Sequence, residues 1–302
     1  MDQDLKLKQK LISILDYKTQ RKYLHAIQIC EKLIGEYPAN AEIHYELAEL
    51  YELSGNLNSA FHLLENYLDN NPKDKDLRIY YGQFLLKHQL WNKAIEIFSP
   101  FAPEEKPITL FFLGHCYFML KDFELARINF LSFLSLESDS ELVYESYIYL
   151  AKIEIEIKDF EQALSYAKQS ETFYNSHWEL NLILAICFYN LGMDAHAVLS
   201  IEKAIKLNPK AIGSYEWAGR IFLRSKDYLK AEKYFIKFVE SSDEVSADTY
   251  TQLGEACYNT NNTNLALNYF ELALRIDPLN TNAIIGKKNL LEKTKTKMHK
   301  DA

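Results

Sequence analysis

The stretch YTQLGEACYNTNNTNLALNYFELALRIDP, residues 250–278, decides the fold, because the rest of the chain repeats it. Its fixed points are Tyr250, Leu253, Gly254, Ala266, Phe270, Ala273 and Pro278, and they recur with substitutions back to residue 7. Anchored on the alanine, the series is Ala26, Ala60, Ala94, Ala126, Ala163, Ala197, Ala231 and Ala266. The steps are 34, 34, 32, 37, 34, 34 and 35 residues. A period of this size marks an array in which each repeat is one supersecondary element that buries its apolar face only by stacking on its neighbours.

The residues at each phase define the repeat. A helical stretch precedes every anchor, with apolar residues at i, i+3, i+4 and i+7, as in Ile43, Leu47, Leu50 and Tyr51. A polar turn follows, holding Gly55 and Gly192, where glycine leaves a helix in the left-handed conformation without steric cost. A second helix carries the anchor and, four residues on, Leu64, Phe98, Phe130, Ile201, Phe235 or Phe270. Pro38, Pro72, Pro209 and Pro278 each fall twelve residues after their anchors and stop that helix. Gly82, Gly114, Gly219 and Gly254 lie twelve before theirs, where the missing side chain lets the two helices of a pair approach closely.

These positions resemble the tetratricopeptide repeat family, whose signature is W-x2-L-G-x2-Y, then A-x3-F, then P. Tyr147, Tyr215 and Tyr250 hold the tryptophan place, whereas Lys10, His44, Arg78, Leu110 and Asn181 hold it elsewhere. Repeats start near residues 7, 41, 75, 107, 144, 178, 212 and 247, giving a single domain over 7–280, followed by a capping helix and basic tail over 281–302. The resemblance implies an all-α fold: a right-handed solenoid of antiparallel helix pairs whose first helices line a concave groove.

Composition agrees. Of 302 residues, 48% are hydrophobic and only nine are glycine, as an all-helical core requires. A net charge of −8 argues against a general binder of nucleic-acid phosphates. Met1 to Ser13 alternates Lys and Asp with Leu and has no apolar signal-peptide core. No apolar run approaches the roughly 20 residues needed to insert in a bilayer. The expected location is cytoplasmic. Cys30, Cys116, Cys187 and Cys257 occupy apolar phases of four repeats, reading as buried free thiols rather than metal ligands or disulfides.

Two departures interrupt the period. Pro100, Pro103 and Pro107 cannot continue the second helix of repeat three, a repeat two residues shorter than the period; repeat four exceeds the period by three residues, through Leu136 to Glu141. Residues 99–143 are therefore expected to stack irregularly, as a hinge or as a tolerated loop variation. At the C-terminus, Asn282 to Lys300 reads as one helix with Ile284, Ile285, Leu290 and Leu291 inward. Lys287, Lys288, Lys293, Lys295, Lys297 and Lys300 are expected outward, as a solvated cap face.

Catalytic signatures are missing: the sequence contains no G-x-G-x-x-G, G-x-x-x-x-G-K-[ST], H-E-x-x-H or G-x-S-x-G. No two histidines stand at i, i+4 to chelate a metal. Glu42, Glu46, Glu49 and Glu52 form an acidic strip along one helix, read as solvated or partner-facing rather than catalytic. The expectation is a non-enzyme without cofactor or metal. The carboxylate clamp with which some members of the family hold a chaperone C-terminus needs Lys, Asn and Arg where this chain has Leu11, Leu15, Glu46, Asp76 and Tyr80.

In the family the groove-facing phases of a first helix lie one, four, five, eight, eleven and twelve residues after the repeat start. Repeats three and four thereby offer Ile79, Tyr80, Leu86, Phe111, Phe112, His115, Phe118 and Met119. Repeats five and six offer Ile148, Tyr149, Ile155, Leu182, Ile183, Ile186 and Tyr189; repeat seven adds Trp217, Leu223, Arg220 and Arg224. A large apolar surface left bare marks an interaction site. The expected function is an interaction scaffold or adaptor that holds an apolar peptide or helical segment of a protein partner. Self-association is compatible with the same surface. Two other readings stand beside it: a structural subunit of a larger assembly, or a regulatory domain for an enzyme on a separate chain.

Overall fold

Each repeat turns on one residue in the left-handed backbone region, always five positions before its anchor alanine. Arg21, Gly55, Gln89, Lys121, Lys158, Gly192, Lys226 and Asn261 have φ between 57° and 80°. The next residue donates its N–H to the carbonyl five back, as Asn56 does to Tyr51 and Asn262 to Cys257, each at 2.8 Å. That bond closes the first helix in the Schellman manner. Glycine fills the position only twice. Elsewhere the turn carries the cost of a side chain at positive φ.

The computed structural model describes residues 2–101, 105–138, 140–171 and 176–300, with side chains placed from 5 to 293 within those ranges. Among them are seventeen α-helices and no strand, forming an all-α solenoid of helix pairs. Contacts divide it into two bodies, 1–136 and 137–302. The first holds α1 (Asp2–Thr19), α2 (Tyr23–Glu36), α3 (Ala41–Leu53), α4 (Leu57–Asn70), α5 (Lys75–Lys87), α6 (Trp91–Phe98), α7 (Ile108–Met119) and α8 (Phe123–Leu136). The second holds α9 (Glu141–Glu156), α10 (Phe160–Glu171), α11 (Trp178–Asn190), α12 (Asp194–Leu207), α13 (Ile212–Arg224), α14 (Tyr228–Ser241), α15 (Ala247–Asn259), α16 (Thr263–Ile276) and α17 (Thr281–Lys300). Within each body a second helix also packs on the next first helix, and first helices meet side by side, as α5 meets α7 and α11 meets α13.

All eight anchor alanines are fully buried between the helices of their pair. The residue twelve before and the residue four after share one space. A Cβ built on Gly82, Gly114, Gly219 or Gly254 would lie 2.3–2.9 Å from the ring of Phe98, Phe130, Phe235 or Phe270. Where the first partner is larger the second is smaller: Ala48 with Leu64, Ala185 with Ile201, Ala151 with Ala167, Ile14 with Cys30, every one fully buried. Close packing tolerates the combined volume rather than either residue alone.

The prolines act as expected, since α2, α4, α12 and α16 end two residues before Pro38, Pro72, Pro209 and Pro278. Helix α6 is shortened to eight residues and ends at Phe98, with Pro107 capping the start of α7. Ala102, Pro103, Glu104 and Asp139 lie outside the described residues.

The cap helix corrects the sequence reading. Ile284, Ile285 and Leu291, expected inward, are about half exposed, and of the four only Leu290 is buried. The inward face is Ala283, Gly286 and Leu290, spaced three and four apart. A Cβ on Gly286 would stand 2.5 Å from the Phe270 ring, so the helix approaches along its small residues and turns its branched ones away. Lys287 pairs with Glu271 at 2.9 Å and Lys288 is exposed, while the side chains of Lys295, Lys297 and Lys300 lie outside those described.

Candidate functional site

The faces made by successive first helices differ in how much of each side chain they leave open. In the body 1–136, α5 carries Ile79 and Tyr80, both half-buried. The Tyr80 ring meets the edge of Tyr45 at 4.2 Å, and burial together with Glu49, Glu52 and Glu46 raises its hydroxyl pKa. The acidic strip is not a bare anionic surface. Glu46 and Glu49 both take Lys18 as partner, and Glu52 takes Lys87 and His88, at 2.7 and 3.0 Å. Burial opposes the charge on Lys18, but those carboxylates hold its pKa above the ordinary lysine value.

Helix α7 departs from its reading. Phe111 and Phe112, expected in a groove, are 6% and 9% exposed. Phe111 lies against Phe130 and Phe133 at 5.7 and 5.8 Å, and Phe112 stacks on Phe98 at 5.1 Å. These rings pack toward the second helices, as expected of a helix, ITLFFLGHCYFM, that is apolar on nearly every face. His115 and Phe118 remain half-buried, with Trp91 and Phe123 as their respective ring neighbours at 5.5 and 5.8 Å.

In the body 137–302, Ile148 and Ile186 are likewise corrected to core, at 3% and 9% exposed, since α9, α11 and α13 pack edge to edge and close over the mid-helix phases. Tyr149 stays half-buried; burial, then Glu145 and Glu179, pushes its hydroxyl pKa up to about 12. Beside it the Lys152 ammonium stands 5.1 Å from the ring centroid and 2.6 Å from Glu179. Further along, Leu182, Tyr189 and Trp217 are half-buried. Trp217 and Tyr189 meet edge to face at 5.7 Å. Arg220 lies over Trp217 at 5.3 Å and is tied to Glu216 at 2.8 Å. Arg224 lies over Tyr189 at 3.6 Å, donates to the Tyr189 carbonyl at 2.6 Å and pairs with Asp194. Cation and ring thus restrain each other, each arginine lying against one ring of the aromatic pair.

Sequence reading stopped at repeat seven. The same phases in repeat eight give Asp248, Thr251, Gln252, Glu255, Tyr258 and Asn259, all of which line a cavity of about 620 Å³. Leu223 of α13, Phe270 of α16 and Asn282, Ile285, Gly286 and Asn289 of α17 complete its wall. The signal was legible as a period, but the closing wall depends on where α17 docks.

Among the described residues no group of three or more metal-ligating side chains converges, and no helix is long and apolar enough to cross a membrane. Burial pushes each of the four thiols up to about 12, and all four are free.

A tetratricopeptide-repeat family model matches residues 247–278, and the model for the anaphase-promoting complex, cyclosome, subunit 3 matches residues 19–101. These matches and the solenoid of helix pairs support a tetratricopeptide-repeat protein. No curated protein matches this tetratricopeptide-repeat chain in sequence. Among solved structures, a chain of the APC/C hetero-tetramer Cut9-Hcn1 is similar with a TM-score of 0.63 and 16% identity, over 89% of this chain and 52% of its own. This chain therefore spans about half the length of that relative. The pilF protein of Pseudomonas aeruginosa is similar at a TM-score of 0.59 and 16% identity, over 72% of this chain and 97% of its own. YrrB, described as a TPR protein with an unusual peptide-binding site, gives 0.50 and 19% over 66% and 97%. At these identities the likeness is one of fold.

Proposed function

We propose that this tetratricopeptide-repeat chain is a non-catalytic scaffold that holds an apolar segment of a protein partner against its first-helix face. The observation that carries the reading is the Tyr189–Trp217 pair, half-exposed yet restrained by Arg220 and Arg224. Rigid aromatics lose little entropy on binding and are the usual hot spots of interfaces. Leu182 extends the apolar area along α11, two turns before Tyr189; in the other body Ile79, Tyr80, His115 and Phe118 offer a second surface of the same kind. The core assignments of Phe111, Phe112, Ile148 and Ile186 narrow the surface without removing it.

Binding of the whole chain to an array of short synthetic peptides, from apolar to charged, tests this reading. The wild type should retain the apolar-rich peptides, and Trp217→Ala with Leu182→Ala should bind them at least tenfold more weakly, about 1.4 kcal/mol, with a Tm lowered by only a few degrees. Unchanged retention by the variant, or retention that ignores apolar content, would overturn the assignment.

A second reading, a structural subunit of a larger assembly, is favoured by the match of residues 19–101 to the anaphase-promoting complex subunit family. Light scattering after size exclusion separates the two: a monomer competent for peptide supports the scaffold, and a stable oligomer with no peptide retention supports the subunit.

A further inference from the structure

The open cavity between α13, α15, α16 and α17 is one-sided in charge. Asp248 and Glu255 line it, and no lysine or arginine does. Asp248 spends one carboxylate oxygen on the Asn280 side-chain amide at 3.0 Å. Glu255 pairs with no cation among the described residues, although burial disfavours its charged form and raises its pKa. Gln252 Oε1 is shut off from solvent and takes no hydrogen bond from the described residues. Asn259 donates one N–H of its side-chain amide to the Glu255 carbonyl at 2.9 Å. Lys293 of α17 is engaged elsewhere: its ammonium stands 4.5 Å from the centroid of the Tyr258 ring and donates to Asn261 Oδ1 at 3.1 Å. The lining therefore mixes amide and hydroxyl groups with two carboxylates, and what it lacks is a cation to meet their negative charge.

Buried acceptors left without donors are costly, and a charge-assisted hydrogen bond to a carboxylate is the strongest remedy. Leu223 and Ile285 give the wall an apolar strip on which a methylene stem can lie, as long basic side chains do. The volume of about 620 Å³ is within the usual range of ligand pockets and exceeds one side chain, leaving room for flanking main chain.

We propose that this cavity is a pocket for a lysine or arginine side chain of a partner polypeptide. It is separate from the aromatic surface, because Leu182, Tyr189 and Trp217 do not line it. A partner that used both would present a basic residue beside an apolar segment.

The test is an NMR titration of the full-length, 15N-labelled chain with Ac-Ala-Ala-Lys-Ala-Ala-NH2, followed through the side-chain amides of Gln252, Asn259, Asn282 and Asn289. The lysine peptide should shift these resonances saturably, and the norleucine analogue, equal in length and uncharged, should not. Glu255→Gln, nearly isosteric, should weaken binding at least tenfold with an unchanged circular dichroism spectrum. Trp217→Ala should leave this titration as it is, so that failure of the aromatic reading and failure of the pocket are told apart. Equal shifts from the norleucine peptide, shifts elsewhere only, or undiminished affinity in Glu255→Gln would overturn the proposal. Saturable shifts from free spermidine but none from the peptide would overturn its assignment to a polypeptide.

Discussion

Exchanging volume between the two helices of a pair should show that each repeat is packed as a local jigsaw. Gly219→Ala places a methyl carbon 2.5–2.6 Å from three ring carbons of Phe235, a fully buried side chain. Optimal carbon contacts lie at about 3.5–4.0 Å, so ring or helix must retreat by roughly 1 Å. Overpacking of this kind costs about 1–3 kcal/mol. Replacing a mid-helix glycine by alanine returns about 0.5–1 kcal/mol, which leaves a net loss of about 0–2.5 kcal/mol. Phe235→Leu alone should cost about 1–2 kcal/mol for the space it leaves, less than the about 3–5 kcal/mol of a truncation to alanine. The double variant recreates the Ala48 and Leu64 combination that repeat two already uses. It should be more stable than the sum of the single losses by about 1–2 kcal/mol, a coupling typical of residues in contact. Urea denaturation gives the four corners of the cycle, and amide exchange localises the damage to repeats six to eight, because a solenoid couples mainly to nearest neighbours. Additive losses would refute the shared-space reasoning. So would protection lost equally along the whole body 137–302.

Lys226→Gly should stabilise by about 0.5–1 kcal/mol, since φ of 63° strains any residue with a Cβ, and Gly192→Ala should cost about 1 kcal/mol by the same logic, both read from urea midpoints. The four buried thiols, each with its pKa pushed up to about 12, should be inert to a disulfide reagent at pH 8 and react together once guanidinium unfolds the chain; one that titrates in the folded protein contradicts its burial. Glu255 has a raised folded pKa, so its charge destabilises the fold above that value, and the penalty is relieved as pH falls toward the ordinary 4.5. Glu255→Gln should therefore raise Tm at neutral pH and flatten that part of the pH profile; a profile that stays as it was would show that another group titrates there. Ending the chain at Pro278 removes α17 from Phe270 and Leu253 and should lower solubility, with amide protection lost first in repeats seven and eight.

The eightfold period was readable because each repeat carries its own punctuation. Ala266, Gly254 and Pro278 mean the same thing wherever they recur, and so the helix pairs, their caps and the buried thiols followed from local chemistry. Six of the eight left-handed turns were silent in sequence because Arg21, Gln89, Lys121, Lys158, Lys226 and Asn261 are ordinary helix-exit residues; helix closure forces them to positive φ. The face expected to bind was less legible. A phase rule places a residue on one side of a helix, but whether Phe111 meets water or Phe130 depends on the neighbouring helix. Ile148 and Ile186 were closed over for the same reason, whereas Tyr189 and Trp217 were not.

By itself the sequence determined an all-α repeat array, since hydrophobic periodicity, small-residue contacts and proline stops act over a few residues and need no knowledge of distant neighbours. Only the tertiary structure decided which first-helix side chains stay open, that the acidic strip is paired with Lys18, Lys87 and His88, and that α17 docks through Ala283, Gly286 and Leu290 to complete the wall of an open cavity at Glu255. Those outcomes depend on how much area each neighbouring helix covers, which is fixed by packing between elements rather than by the pattern within any one of them.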